Sequence, residues 1–342
     1  MKIAIITLNG VTNFGNRLQN YALYTFLSKQ NVKVENYWKI NFKKDLKNLV
    51  KKFIFIKKYN RIRNFHKFND KIKTRYAITL KDGRYDVVIV GSDQVWNPNW
   101  AATDDLFLEF AKKTRKVSYA ASLGVDQLEK EQYNFFKEKL KDFYMISLRE
   151  KTGVDIIKTV TGRNDISLNI DPTMLLTKKD WEKVMTKPHN YEGKKYILNY
   201  FLGNISNETN KAIENYAKKN NCMIINILNE QDPFYESGPE EFLYLEKNAF
   251  LICTDSFHSS VFALIFNRPF VVFKRNDNEK NMYTRIDNFL KCFKLDNRTF
   301  NGKEITKENL KCDYTEAYKI LEKERKKSEK FLKDALDIKD SD

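Results

Sequence analysis

Three histidines occur in the chain, His66, His189 and His258, and the last lies in the hydroxyl-rich stretch TDSFHSS, residues 254–260. Apolar runs flank it, AFLIC before and VFALIF after. It therefore reads as the turn from a buried strand into a helix. Thr254, Asp255 and Ser256 are good helix caps. The N–H groups and hydroxyls of such a helix start, with Ser256, Ser259 and Ser260 among them, also suit a phosphate. His258 would stand in the first turn, where the local field disfavours imidazolium. An arriving dianion reverses that and makes the ring a proton donor near neutral pH. The plain alternative is a capped helix with an incidental histidine. Lys274 and Arg275 follow the next apolar run, PFVVF, and would bring cations to the same patch. His66, in a basic segment, and His189, in a Pro/Gly loop, read as solvated.

Other apolar runs end in loops with chemistry of their own. YDVVIV (85–90) leads into GSDQVWN (91–97), where Asp93, Gln94 and Asn97 offer a carboxylate and two amides. That set suits recognition of a polyol or removal of a proton from one, with a helix cap beside a packed Trp96 as the alternative. FYMISL (143–148) leads into REKTG, so Arg149 stands at a strand-to-helix turn, where its planar fork fits a carboxylate or phosphate. IAIITL (3–8) leads into NGVTNFGNRLQ, where Gly15 and Asn16 at a helix start could hold an anion or a sugar hydroxyl. This loop is neither GxGxxG nor a Walker loop, which argues against nucleotide binding.

The elements that must position these loops alternate between short apolar runs and helical patterns. KVSYAASL (116–123), FYMISL and ISLNI (166–170) are separated by helical stretches at 127–143 and 149–160. Such alternation implies parallel sheets with helical crossovers. Proline, glycine and charge gather at 171–195, after which the pattern restarts with YILNYFL (196–202), CMIINIL (222–228), FLIC (250–253) and PFVVF (269–273). The expectation is an α/β protein of two tandem Rossmann-like, doubly wound domains facing a cleft. Residues 1–185 form the first domain with a basic insert at 39–75, and residues 186–312 the second. A long helix is expected at 313–342. Ligands would bind at the strand-end loops.

Composition narrows the partners. The net charge of +16 is concentrated at 39–75, which holds fourteen Lys/Arg against Asp45 and Asp70. Arginine, the better fork for phosphates and bases, is far scarcer than lysine in the chain, and no nucleic-acid-binding motif accompanies the segment. Nucleic acid is therefore not expected as a partner. Within the segment, LKNLVKKFIFIKKY (46–59) sets apolar residues among lysines. It would suit an anionic membrane surface, or a solvated helix with one core-facing stripe. The four cysteines form no CxxC pair, so neither a disulfide framework nor a metal site is expected. With no signal-peptide pattern and no membrane-length apolar run, a cytoplasmic location is expected, with peripheral contact at the inner membrane face as an option.

Taken in order, NFGNRLQNYAL (13–23), DVVIVGSDQVWN (86–97), SYAASLG (118–124), ISLREKTG (146–153), NIDPTMLL (169–176) and TDSFHSSVFALIFNRPFVVFKR (254–275) resemble the polysaccharide pyruvyl transferase family. The resemblance implies a fold similar to the two-domain GT-B glycosyltransferases, which the long helix at 313–342 packing back would also fit. It also implies transfer of pyruvate from phosphoenolpyruvate to a sugar as a ketal, with release of phosphate. The acceptor would be a saccharide of a cell-surface polymer, often lipid-linked; phosphoenolpyruvate is a substrate, and no cofactor is implied. His258 matches the histidine of an Asp-Ser-x-His motif and Arg149 the arginine of Ser-x-Arg-Glu. Lys274 corresponds to a basic residue after the following strand, with Arg275 adjacent. The implied roles are His258 as acid/base, Arg149 and Lys274 on the anionic groups, and Asp93 on the acceptor hydroxyl. Ser259 departs from the family's glycine and Phe14 from its tyrosine. A nucleotide-sugar glycosyltransferase on the same fold is the alternative, with Glu240 or Glu241 for the ribose hydroxyls.

Overall fold

A computed structural model describes residues 1–39, 56–100, 104–275 and 284–338. Residues 40–55, which hold most of the stretch expected to contact a membrane, lie outside the described residues.

In chain order the first elements are β1 (Lys2–Ile6), α1 (Phe14–Ser28), β2 (Lys33–Lys39), α2 (Ile56–Asn69), β3 (Thr74–Ala77) and β4 (Val87–Val90). Next come β5 (Arg115–Ala121), α3 (Lys130–Leu140), β6 (Met145–Leu148), α4 (Lys151–Thr161) and β7 (Ser167–Leu168). A second series follows: α5 (Lys178–Glu182), β8 (Tyr196–Tyr200), α6 (Asn207–Lys219), β9 (Met223–Asn226), α7 (Pro239–Asn248) and β10 (Leu251–Thr254). It closes with α8 (Phe257–Ile265), β11 (Phe270–Val272), α9 (Thr284–Cys292) and α10 (Thr315–Ala335).

Two compact units result. The first comprises Met1–Lys51, Asn69–Leu176 and Glu322–Asp342, and the second Lys52–Phe68 and Thr177–Leu321. The division thus falls at Leu176/Thr177, inside the 171–195 stretch expected to hold it and ahead of the expected boundary after residue 185. The basic insert is also divided, because α2 groups with the second unit. Arg61, buried on α2, donates through Nη1 to the carbonyls of Ile227 (3.1 Å) and Tyr235 (2.5 Å), and Asn64 Nδ2 donates to the Glu236 carbonyl at 2.8 Å. Helix α2 therefore docks on the loop after β9, while most of the 46–59 stretch expected to carry a core-facing stripe lies outside the described residues. Helix α10 is shared: Arg325 Nε donates to the Met174 carbonyl at 2.8 Å and the Ser328 hydroxyl accepts from Ile170 N at 3.1 Å, both within the first unit.

The first unit's sheet is parallel throughout, in the order β3-β2-β1-β4-β5-β6-β7. Its central strands are the continuous apolar runs, buried on both faces, as βαβ crossovers require. Strand β2, KVENYWK, escapes that pattern because polar residues occupy its buried middle. Glu35 accepts from the Tyr85 hydroxyl at 2.7 Å, and Asn36 Oδ1 from Asn20 Nδ2 at 2.8 Å. The second sheet, also parallel, runs β11-β10-β8-β9, with α6 burying Ile213 and Ala217 against Ile197, Leu251 and Cys253. No described helix is long and apolar enough to cross a membrane.

Candidate active site

Open parallel sheets bind ligands where the strand order reverses, outside the carboxyl ends. In the first unit that point lies between β1 and β4. Thr7 Oγ1 donates to the Ser92 carbonyl, Ser92 N to Gln19 Oε1 and Gln19 Nε2 to Thr7 Oγ1, each at 3.0 Å. This closed ring fixes the two strand ends and presents Asp93, whose φ of 72° lies in the left-handed region that Asp tolerates better than most residues. Its Oδ2 accepts from Asn16 Nδ2 at 2.9 Å, while Oδ1 accepts from Gln94 N at 2.9 Å and Arg149 Nη2 at 3.3 Å. Asn16 is held in turn, its backbone N–H donating to the Asn13 side chain that caps α1.

Arg149 differs from expectation. Its side chain is 2% exposed and faces carboxylates: Nη1 lies 2.7 Å from Asp171 Oδ2, Nη2 3.3 Å from Asp93 Oδ1 and Nε 3.8 Å from Glu150 Oε2. Burial opposes the charge, but Asp171, Asp93 and Glu150 more than offset it, and the guanidinium is held protonated. Asp171 also accepts from Thr173 N and Oγ1, and Glu150 from Leu123 N. The fork that could have met a substrate anion is thus engaged internally, which makes Arg149 a residue that positions Asp93. Gln94 and Asn97 are likewise engaged with each other, Asn97 Nδ2 donating to Gln94 Oε1 at 2.6 Å. They pack under Gly124 (φ 66°), where a Cβ would come within 2.4 Å of Gln94 Oε1. Gly15 is buried in the first turn of α1.

Sequence reasoning missed Arg17. Fully buried, it donates through Nη2 to the Leu8 carbonyl (2.5 Å) and Asn16 Oδ1 (2.8 Å), and stacks over Trp38 at 5.0 Å. Burial lowers its pKa to about 10, with Asp93 pulling the other way. A helical arginine reads as solvated, and only the cluster of polar residues around Leu18 in NRLQN, within an otherwise apolar helix, could have flagged it.

In the second unit the strand order reverses between β8 and β10. Asp255 follows β10, and its carboxylate accepts from Leu202 N (2.7 Å) and Gly203 N (2.8 Å), the loop after β8. Arg275, after β11, sets Nε 2.7 Å from Asp255 Oδ2. Burial pushes the Asp255 carboxyl up, against the opposing pull of Arg275 and the two N–H groups. Asp255 therefore joins three strand-end loops, and the cap of α8 falls to Ser256. His258 is buried in the first turn of α8, directly after the Phe257 ring, which meets it edge-on with centroids 5.2 Å apart.

The remaining expected residues are placed differently. Lys274 is exposed, and it is Arg275 that pairs with Asp255. Ser260 Oγ donates back to the Ser256 carbonyl at 3.0 Å, and Ser259 Oγ to Glu246 Oε1 at 2.6 Å. Both hydroxyls thus have partners within the protein. Burial holds the Glu246 carboxyl well above the ordinary range, with the Ser259 hydrogen bond opposing. Glu241, considered for a ribose, instead accepts from Gly238 N at 3.0 Å and closes the start of α7. His66 and His189 are exposed. Among the described residues no cluster of metal-ligating side chains occurs.

The polysaccharide pyruvyl transferase family model matches residues 13–278, a span that contains both clusters. The chain belongs to this family. No curated protein matches it in sequence. Among solved structures it is similar to UDP-GlcNAc 2-epimerase from Neisseria meningitidis bound to UDP-GlcNAc, at 13% identity over 98% of this chain and 99% of that one, with a TM-score of 0.50. UDP-GlcNAc 2-epimerase from Methanocaldococcus jannaschii aligns at 13% identity over 94% and 92% of the two chains, with a TM-score of 0.46. Identity at this level speaks for the fold alone. For this pyruvyl transferase family member it is the GT-B type, built from two Rossmann-like units.

Proposed function

We propose that this family member transfers pyruvate from phosphoenolpyruvate to a saccharide of a cell-surface polymer as a ketal, releasing phosphate. The observation that carries the reading is His258 in the first turn of α8, beside the Asp255–Arg275 pair at the second unit's switch point. Histidine is the side chain suited to moving a proton near neutral pH.

In the proposed sequence, imidazolium at His258 gives its proton to the methylene carbon of phosphoenolpyruvate. The adjacent C2 becomes an oxocarbenium-like centre that one sugar hydroxyl attacks, its proton returning to the imidazole. A second hydroxyl then displaces phosphate from C2, its proton leaving with the phosphate, and the ketal closes. Arg275 and the N-terminal N–H groups of α8 stabilise the donor's negative charge. Arg275 replaces Lys274 in this role because its position is fixed by Asp255. Asp93 orients an acceptor hydroxyl, and Arg149 acts through Asp93.

The test is phosphate release from phosphoenolpyruvate across a panel of hexose and amino-sugar acceptors, with the product examined for a pyruvate ketal. Release that depends on acceptor supports the reading. Stabilisation by a nucleoside diphosphate with no turnover of phosphoenolpyruvate would replace it by the glycosyltransferase alternative.

A further inference from the structure

We propose that the second unit carries a saccharide subsite of its own, in an open cavity of about 540 Å³ lined by Asn207, Asn210, Lys211, Glu214, Asn226 and Asn229. The volume falls within the range of small-ligand clefts, roughly 300–1,000 Å³. The lining is four carboxamides with one ammonium and one carboxylate, so its formal charges cancel. Asn207 and Asn210 each pair a donor with an acceptor at fixed spacing. Asn226 and Asn229, whose Oδ1 atoms accept from Asn199 Nδ2 and Gln231 N, add NH2 donors, and the set complements neighbouring hydroxyls. An anion would call for surplus cations, which this lining lacks. The ligand class is therefore a neutral, polyhydroxylated one.

A second observation lies behind the lining. Asn226 Oδ1 accepts from Asn199 Nδ2 at 2.9 Å. Asn199 is 6% exposed, and its Oδ1 accepts no hydrogen bond among the described residues. A buried acceptor left unmet is costly, and this one lies one hydrogen bond behind Asn226, a lining residue whose own Oδ1 is thereby held in place.

Position connects this cavity to the donor cluster. Asn199 lies on β8 in register with Asn226 on one side and Cys253 on the other. Three residues on, Leu202 donates its N–H to Asp255. The cavity and the Asp255–Arg275–His258 cluster thus lie on either side of the carboxyl end of one strand. On the transferase reading, which this inference presupposes, the cavity would hold a sugar ring next to the one being modified.

The experiment follows the side-chain amide NMR signals of the full-length, ¹⁵N-labelled protein during titration with cellobiose, lactose and di-N-acetylchitobiose, and separately with phosphoenolpyruvate. Saturable shifts at Asn210 and Asn226 from at least one disaccharide are expected, and Asn226→Ala or Asn210→Ala should weaken binding about fivefold each, the worth of one hydrogen bond. Both residues are exposed, so the variants should fold. Absence of shifts with every disaccharide, or unchanged affinity in both variants, overturns the subsite. Sugar-induced shifts without any response to phosphoenolpyruvate would keep the subsite and remove the donor reading. A response to phosphoenolpyruvate alone would do the reverse.

Discussion

The two switch points solve the same geometric problem with different charge balances. In the first unit, Arg149 is surrounded by Asp171, Asp93 and Glu150, and each of these carboxylates has a further tie to backbone or side chain. In the second, Asp255 and Arg275 pair one to one, and a histidine stands three residues beyond the aspartate. The contrast separates two kinds of buried polar residue. A buried charge compensated on every side shapes a loop, whereas a simpler pair beside an imidazole leaves room for proton transfer.

The comparison breaks first at Arg149. Arg149→Met would leave three buried carboxylates uncompensated and should cost about 3–5 kcal/mol of stability, read from urea unfolding. A loss below 1 kcal/mol would mean that the first cluster is not the self-balanced scaffold described. Next comes the pair of basic residues after β11. Arg275→Ala should cost about 2–3 kcal/mol, less than Arg149 because one carboxylate rather than three loses its cation. Lys274→Ala, at an exposed position, should change stability by no more than about 0.5 kcal/mol and leave the KM for phosphoenolpyruvate unchanged. A larger KM effect in Lys274→Ala than in Arg275→Ala would restore the assignment made from sequence.

The smallest effect concerns Glu246 beneath α8. Its folded-state pKa is raised, so its contribution to stability is intact below the ordinary carboxyl range and lost as pH rises towards the folded value. Glu246→Gln keeps an acceptor for Ser259 and removes the titration. Its thermal midpoint should gain on the parent's by about 2–4 °C between mildly acidic and neutral pH. Parallel curves would show that the carboxyl does not titrate as its burial implies.

Much of the fold was readable because parallel strands announce themselves as short apolar runs, and β4 (VVIV) and β10 (LICT) stand where such runs were seen. Strand β2 was hidden because Glu35 and Asn36 find partners only in the folded chain, on Tyr85 and Asn20. The assignment of α2 was hidden for a similar reason. Its docking partners lie more than 160 residues away along the chain, on the loop after β9. At the candidate site, residue type and strand-end position pointed to Asp93, Arg149 and His258. Sequence could not say what each side chain would face, so it gave Arg149 a substrate anion where the structure gives it Asp171. It also gave the helix-start hydroxyls of Ser259 and Ser260 a ligand where Glu246 and a backbone carbonyl take them.

The central claim is that the second unit's histidine protonates the donor. It is tested most directly by the rate of phosphate release from phosphoenolpyruvate in His258→Ala, at saturating acceptor and neutral pH, with folding checked by thermal unfolding. The account predicts a fall of about 10²–10⁴-fold, the range for a general acid, with the unfolding midpoint little changed. A variant that releases phosphate at the parent rate would contradict it.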